Sequence, residues 1–355
     1  GLWHETTNTI HGRTSNPHDL YRTSGGSSGG EGAIIAAGGS PFGIGSDVGG
    51  SIRIPAAFCG IYGHKPSAGV VPNTGHFPDP PEQPYMGCGP MTRSARDLMP
   101  LLRILAGPDG DDPACKPVTL GDPDTVDLSG LTVWVAPTNG RASVQKPIQD
   151  AVNRAGALLG HRGATVRPLE SRLLQYSFEI WAVQMSEVGS YESIVTEGGR
   201  VALGRELSRW ARGRSRHTGS VLAMVAIQRF LDKLPDQTER MRQICNELRS
   251  ELETVLGDDG VLLHPTFARI APRHRTIGIG NPTDVGPTAV FNILGFPGTV
   301  APIGSHDGLP TAVQILGSRG SDHLTIAAAI ALEEAVGGWR PVLPRRGRRP
   351  RMALA

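Results

Sequence analysis

Apolar and polar residues alternate along the chain with two different periods, and these periods predict which elements it forms. Short apolar runs bounded by glycine, proline or polar residues predict buried strands, whereas apolar residues three and four positions apart predict helices. Strands are predicted at residues 42–46, 131–136, 165–167, 261–265, 298–302 and 312–316. Helices are predicted at residues 31–38, 95–105, 144–159, 240–256, 288–294 and 323–336. Strands that alternate with helices indicate an α/β protein.

Other segments carry weaker patterns. Residues 1–24 are polar and residues 65–84 are rich in proline and glycine, so both segments are predicted to be loops. Residues 169–256 are predicted to be mostly helical, with a break near Gly213. The tail from residue 341 to residue 355 includes five arginines between positions 345 and 351, and we expect a frayed, solvated terminus there.

The composition limits the kinds of protein that this chain can be. At 355 residues and a net charge of +2, it can bury a sizeable core and offers no electrostatic case for a nucleic-acid partner. No apolar run approaches the ~20 residues of a transmembrane helix, and no secretory signal is visible. The four scattered cysteines lack metal-type spacing and fit reduced thiols, so we expect a cytoplasmic protein with no metal.

Residues 25–63 read GGSSGGEGAIIAAGGSPFGIGSDVGGSIRIPAAFCGIYG and carry the candidate chemistry. Glycine lets backbone N–H groups approach a ligand closely, so glycine runs that end in a serine suit a nucleophile surrounded by backbone donors. Two serines fit this pattern, Ser27 in GGSSGG and Ser51 in DVGGSIR. The alternative is a flexible Gly/Ser linker. The apolar runs at residues 33–37 and 52–58 argue against a linker.

This stretch resembles the signature of the amidase signature family, whose members hydrolyse or transfer carboxylic amides. The continuation GGEGA at residues 29–33 is most similar to the branch that includes fatty acid amide hydrolases. Weaker similarity continues through GPMTRS at residues 89–94 and from residue 292 to residue 339. The resemblance implies a mixed β-sheet covered by helices on both faces, amide C–N cleavage through an acyl-enzyme, and no cofactor.

The resemblance also implies how the chain is divided. Residues 1–355 would form a single amidase domain, with the signature and the nucleophile in residues 1–125. Residues 126–259 would be a mostly helical region on the substrate side, residues 260–340 would return to the core sheet, and residues 341–355 would be the basic tail. The expected partner is a small-molecule amide, and a homodimer is left open as an assembly state.

Ser51 is the nucleophile that the resemblance implies. A serine hydroxyl is a poor nucleophile until a base takes its proton, and the tetrahedral intermediate needs preorganised donors. In the family, backbone N–H groups of the nucleophile loop form this oxyanion hole. The corresponding positions in this sequence are Val48, Gly49, Gly50 and Ser51.

The resemblance assigns roles to four further residues. Ser27 would carry the proton between Ser51 and a lysine, and the preceding bond, Gly26–Ser27, would be a cis peptide. Ser28 would hydrogen-bond to that lysine. Asp47 and Arg53 flank the nucleophile, and we expect them to form a supporting, bidentate salt bridge rather than to act in catalysis.

The catalytic lysine of the family has no counterpart before Ser27. No lysine occurs ahead of Lys65, which matches a structural position of the family. The chain also begins at Gly1 rather than at methionine, so we expect an N-terminal segment that carries the lysine to precede it. The expectation that follows is that the 355 residues alone do not hydrolyse amides.

Two alternatives to a hydrolase remain open. One is the amidase subunit of a glutamine-dependent tRNA amidotransferase, which shares the signature and delivers ammonia to a partner subunit. The other is a non-catalytic binding protein that kept the fold. Apolar side chains in residues 169–256 predict a pocket for a hydrophobic acyl group, and ordinary helix packing is the alternative interpretation. These side chains are Phe178, Ile180, Trp181, Val225, Phe230 and Leu231.

Overall fold

The structure is a computed structural model that describes residues 3–76, 85–188, 199–231, 237–277 and 282–342, together with Glu192 and Thr196. The N-terminal segment forms two small antiparallel sheets. Their strands are β1 (Thr7–Asn8), β2 (Gly12–Arg13), β3 (Ser15–Asn16) and β4 (Asp19–Thr23).

Eight further strands form one mixed sheet. They are β5 (Phe42–Asp47), β6 (Tyr62–Lys65), β7 (Gly87–Thr92), β8 (Thr132–Val135), β9 (Thr165–Pro168), β10 (Gly260–Pro265), β11 (Gly298–His306) and β12 (Leu309–Gly317). Their order across the sheet is β5-β7-β6-β11-β12-β10-β8-β9. Strand β8 pairs in parallel with β9 and β10, whereas the other neighbouring strands are antiparallel.

Helices flank this sheet. In the described residues they are α1 (Gly29–Ala36), α2 (Arg53–Cys59), α3 (Leu98–Leu105), α4 (Lys146–His161), α5 (Ser177–Val188), α6 (Leu203–Ala211), α7 (Gly219–Leu231), α8 (Thr238–Leu256), α9 (Gly286–Leu294) and α10 (Asp322–Val336). A 3₁₀ turn at Ala95–Asp97 leads into α3, and the Ser94 hydroxyl caps that turn by accepting from Arg96 N.

The sheet has an apolar core on each face because side chains alternate along its strands. Strand β12 directs Val313 and Ile315 toward α3, α4 and α10. It directs Ala312 toward α1 and α2, and Leu316 toward α5, α8 and α9. The chain is therefore an α/β protein, as the sequence pattern predicted, and its mixed sheet is covered by helices on both faces, as the resemblance implied.

Most predicted elements are present with shifted ends. The helix predicted at residues 240–256 is α8, and the strand predicted at 261–265 is β10. Residues 1–24 differ from the prediction, because β1 to β4 form where only a loop was expected. Strands β6 and β7 were not predicted at all. The predicted tail falls almost entirely outside the described residues, which end at position 342.

Candidate active site

The turn between β5 and α2 presents the predicted nucleophile. The Asp47 carboxylate closes this turn by accepting from the backbone N–H of Gly50 at 2.6 Å, Ile52 at 3.1 Å and Arg53 at 3.3 Å. Gly50 has φ +112°, a conformation that favours glycine. The turn leaves Ser51 at the start of α2 with 6% of its surface exposed.

Asp47 and Arg53 form the bidentate salt bridge predicted from the sequence. Arg53 Nε lies 3.0 Å from Asp47 Oδ2, and Arg53 Nη2 lies 3.0 Å from Asp47 Oδ1. The guanidinium also donates to Asn292 Oδ1 at 2.6 Å and to Gln314 Oε1 at 2.9 Å. Burial acts to raise the pKa of Asp47, but the charge and hydrogen bonds of Arg53 hold that pKa well below its usual range. The carboxylate is therefore ionised and fixed.

Five donors hold the five consecutive backbone carbonyl groups of residues 47–51. In chain order they are the Asn292 side-chain amide at 2.7 Å, the Trp181 indole N–H at 2.8 Å, the Thr288 hydroxyl at 3.4 Å, the Ile54 backbone N–H at 2.7 Å and the Ser28 backbone N–H at 3.2 Å. Every peptide group of the turn is therefore fixed in orientation.

The backbone N–H groups of the turn differ from its carbonyl groups, because most of them are not hydrogen-bonded within the described residues. Within the described residues, those of Val48, Gly49 and Ser51 have no hydrogen-bond partner. The Gly50 N–H differs from the sequence-based expectation, because it donates to the Asp47 carboxylate at 2.6 Å. Three of the four predicted oxyanion donors are thus unpaired, and the fourth has a structural use.

Ser27 lies on a neighbouring loop whose backbone is tightly enclosed. The Gly26–Ser27 peptide bond is cis, which confirms the expectation drawn from the resemblance. Thr6 closes this loop, because its N–H and its hydroxyl both donate to Gly25 O, at 3.1 and 3.0 Å. A Cβ on Gly26 would lie 2.7 Å from Glu5 N, so only glycine fits there.

The loops of the two serines are joined directly by the hydrogen bond from Ser28 N to Ser51 O. The Ser28 hydroxyl binds the backbone of strand β5, accepting from Ser46 N at 3.3 Å and donating to Ser46 O at 3.5 Å. In the part of the chain that the structure describes, the hydroxyls of Ser27 and Ser51 have no hydrogen-bond partner. The structure brings the two loops together, but it contains no hydrogen bond between the Ser27 and Ser51 hydroxyls.

Aromatic side chains of α5 lie beside the turn, where the Trp181 indole contacts Val48. Trp3, Phe178 and Trp181 are partly buried and pack against one apolar cluster, which includes Ile54 and Phe58 of α2. The rings of Phe178 and Trp181 lie 6.2 Å apart. The rings of Phe178 and Trp181 form an aromatic wall next to the turn that carries the predicted nucleophile.

The other predicted pocket residues either pack between helices or have side chains that the structure does not describe. Ile180 is fully buried in the core between α5 and α8, and Val225 packs against Val201 and Leu222. Both are therefore helix-packing residues. The side chains of Phe230 and Leu231 are outside the described part of the structure.

Sequence reasoning missed several residues of this site. Asn292 and Gln314 complete the network around Arg53, yet an isolated amide in an apolar helix or strand gives no sequence signal. Trp181 was expected only as a pocket residue, not as a donor to the turn. His4 was also missed: burial lowers its pKa to about 4, against the opposing effects of the Asp47 charge and a backbone hydrogen bond at Gly26.

Lys65 is buried, and its Nζ donates to Pro66 O at 2.8 Å. Burial and the positive charge of Arg53 lower its pKa to about 7. No metal site is visible, since the described residues contain no cluster of three or more His, Cys, Asp or Glu side chains suited to an ion. Nor does any helix in those ranges combine the length and apolar character that crossing a membrane requires.

Comparison with known proteins identifies the class that this fold and site define. Residues 1–326 match the family model described as Amidase. The chain belongs to the amidase signature family.

Individual members of the family and solved structures show which proteins this chain is similar to. The chain is 39% identical to fatty-acid amide hydrolase 2-A of Danio rerio, over 96% of this chain and 65% of that protein. It therefore spans about two thirds of the length of that relative. Among solved structures, it is similar to a glutamyl-tRNA(Gln) amidotransferase subunit from Thermotoga maritima, with a TM-score of 0.75 and 26% identity over 94% of this chain and 71% of that one. A bacterial aryl acylamidase has a TM-score of 0.74 and 28% identity over 94% of this chain and 70% of the other.

Proposed function

We propose that this chain is the nucleophile-bearing part of an amide hydrolase and that Ser51 forms the acyl-enzyme. Ser51 Oγ would bond to the amide carbonyl carbon, the C–N bond would break, and the amine or ammonia would leave with the serine proton. Water would then cleave the ester and release the acid. The observation that carries this proposal is that the backbone N–H groups of Val48, Gly49 and Ser51, in the turn that carries the Ser51 hydroxyl, have no hydrogen-bond partner among the described residues.

Proton transfer would run through Ser27. The hydrogen bond between Ser28 N and Ser51 O ties the two loops together, which supports a relay between the two hydroxyls. The base at the end of the relay would be a lysine in a segment that precedes Gly1. Lys65 is an unsuitable base because its Nζ is buried against Pro66 O. Asp47, Arg53 and Ser28 would support the geometry without touching the substrate.

The acyl group of the substrate would be hydrophobic. The aromatic wall of Phe178 and Trp181 offers apolar surface beside the turn that carries Ser51. The likeness to fatty-acid amide hydrolase 2-A supports the same class of acyl group. We therefore expect long-chain fatty acid amides to be cleaved in preference to the amides of short acids.

A fluorophosphonate probe tests the nucleophile in the full-length protein. Labelling should map to Ser51, disappear in Ser51→Ala, and persist in the control Ser40→Ala, which changes an unrelated serine. The same proteins should release ammonia from a long-chain fatty acid amide only where Ser51 is present. Labelling that survives in Ser51→Ala, or wild-type protein that neither labels nor hydrolyses amides, would favour the non-catalytic binding protein.

The amidase subunit of a tRNA amidotransferase is the second candidate, because the Thermotoga maritima protein shares the fold at a TM-score of 0.75. That role predicts glutamine hydrolysis and a stable partner subunit. Ammonia release from glutamine together with co-purification of a second subunit would support it, whereas fatty amide hydrolysis by the lone protein would support the hydrolase.

We also propose that residues 1–355 belong to a single amidase domain of a cytoplasmic protein. One sheet takes strands from Phe42 to Gly317, which supports the single domain. The four cysteines are free thiols, which fits a reducing compartment. Cell fractionation tests the location, and light scattering of the purified protein tests for a homodimer.

A further inference from the structure

We infer that Trp181 is a positioning residue of this site: its indole N–H holds the Val48 carbonyl and thereby aims the Gly49 N–H at the substrate oxyanion. The inference rests on the proposed acyl-enzyme function. It assigns the orientation of one oxyanion donor to a side chain on α5, 133 positions away from the turn.

The first step of the argument is peptide geometry. A trans peptide is planar, so the C=O of one residue and the N–H of the next point in opposite directions. Trp181 Nε1 donates to Val48 O at 2.8 Å, from the α5 side of the turn. The Gly49 N–H must then point away from the indole N–H. Within the described residues, it is also one of the three unpaired N–H groups of the turn.

The second step is the close packing of the indole on Gly49. A Cβ at Gly49 would lie 3.1 Å from Trp181 Cε2, Cζ2 and Nε1, which is tighter than ordinary contact. The absence of a side chain at this position therefore lets the ring lie against the backbone of the turn. The hydrogen bond and the packing fix the same peptide group from the same side.

The third step is that α5 itself is anchored, so the indole is held in place. The neighbouring Ile180 is fully buried in the core shared with α8. One helical turn further on, Gln184 Oε1 accepts from Tyr85 Oη at 2.9 Å. Preorganised donors contribute most to catalysis when they do not need to reorient during the reaction.

The position of Trp181 also links two parts of the site. One portion of the side chain packs with Phe178 in the aromatic wall, and the ring nitrogen holds the turn. A ring that served only as pocket wall would be replaceable by another aromatic ring. A ring that positions the Gly49 N–H would need its own N–H.

The test compares Trp181→Phe with the control Trp210→Phe, which changes a half-exposed tryptophan on α6, in the full-length protein acting on a long-chain fatty acid amide. We expect Trp181→Phe to lower kcat by about 10- to 100-fold, less than the loss of a direct oxyanion donor, with KM changed less than about threefold. Affinity for an alkyl trifluoromethyl ketone, which forms a tetrahedral adduct at Ser51, should fall in parallel with kcat. Trp210→Phe should leave all three values unchanged.

A second variant guards against loss of folding. Replacing Trp181 by its benzothienyl isostere, with sulfur in place of the indole N–H, removes only the donor and keeps the shape. It should lower kcat and ketone affinity as Trp181→Phe does. Wild-type kcat in the isostere, or an effect confined to KM, would overturn the inference while Ser51 labelling still upheld the proposed function. A wild-type protein without Ser51 labelling would overturn both.

Discussion

Asp47 and Arg53 are each fully buried and meet through two hydrogen bonds of 3.0 Å, so the turn that carries Ser51 is built around one ion pair. The Asp47 carboxylate also holds the backbone of the turn, because it accepts hydrogen bonds from three of its N–H groups. A neutral amide at position 47 could satisfy only part of this demand. The pair is therefore the structural basis of the turn.

Asp47→Asn should lower the free energy of unfolding by about 3 to 5 kcal/mol, because it leaves the buried Arg53 charge uncompensated. Urea unfolding at pH 7 measures this change. The control Asp150→Asn removes an exposed ion pair with Lys146 and should change stability by less than about 1 kcal/mol. Equal effects of the two substitutions would show that the buried pair contributes no more than a surface pair.

Asn292→Asp should weaken the turn in a pH-dependent way. Asn292 Nδ2 lies 2.7 Å from Asp47 O and 3.0 Å from Asp47 Oδ1, so the substitution places a second carboxyl group beside the first. Repulsion raises the pKa of a carboxyl group in such a pair, so the folded variant binds more protons than the unfolded one. Its stability deficit relative to wild type should therefore grow as the pH rises from 5 to 8.

Denaturation of both proteins at the two pH values tests this prediction. The exposed residue Asn246 on α8 provides the matched control, Asn246→Asp, which should show no deficit at either pH. A deficit for Asn292→Asp that stays constant with pH would mean that the new carboxyl group does not sense Asp47. Fluorophosphonate labelling of Ser51 should slow in Asn292→Asp, since the Asp47 carbonyl loses its donor.

Two glycines of the GGSSGG segment should respond in opposite ways. Gly26→Ala brings a Cβ within 2.7 Å of Glu5 N, and the backbone cannot give way, so we expect a loss of about 3 kcal/mol or more. Gly30 is exposed in α1, and an added methyl group would meet no atom within 4 Å, so Gly30→Ala should be neutral or stabilise by up to about 1 kcal/mol. Thermal unfolding of the two variants measures both effects, and similar losses would contradict the packing seen around Gly26.

The residues of the site that are close in sequence were predictable, and those that meet only in the fold were not. Asp47, Ser51 and Arg53 lie within one turn, so a local motif and a family resemblance identified them. Asn292 and Trp181 reach that turn from other elements. In the sequence they look like an amide inside an apolar helix and an aromatic ring on a helix, which is ordinary packing.

The same contrast holds for the fold. Helix α8 shows helical periodicity and strand β10 is a short apolar run, so the pattern of apolar residues located both. Strand β7 reads GCGPMT, and glycine and proline are both disfavoured inside strands. It forms because β5 and β6 pair with it on either side. This pairing is a property of the assembled sheet, so the six residues of β7 alone do not predict a strand.

His264 should make the protein sensitive to mild acid. Its imidazole is fully buried with Nδ1 2.8 Å from Ala136 O, and burial lowers its pKa to about 4 against the opposing effect of that hydrogen bond. An unfolded histidine has a pKa of about 6.5, so the unfolded chain binds more protons between pH 4 and 6.5. Stability that is present above pH 6.5 should be lost progressively as the pH falls to 4, by about 3 kcal/mol from this group.

Urea unfolding between pH 4.5 and pH 7 tests this slope. In His264→Phe the slope should be smaller than in wild type, whatever the substitution does to stability at pH 7. His306 lies on the exposed β11–β12 hairpin, so the control His306→Gln should keep the wild-type slope. A slope that is unchanged in His264→Phe would place the acid sensitivity elsewhere.

The distances along the chain within the turn network have a consequence for biosynthesis. Arg53 contacts Asn292 and Gln314, which lie 239 and 261 positions later, and Val48 is held by a residue 133 positions later. During translation, Ser51 is therefore synthesised long before the residues whose side chains surround it. The nascent chain then carries the serine but not the contacts that shape the turn around it. Under the proposed function, competence to attack an acyl group would arrive only after Gln314 has been synthesised, which would spare an unfinished chain from modifying other molecules.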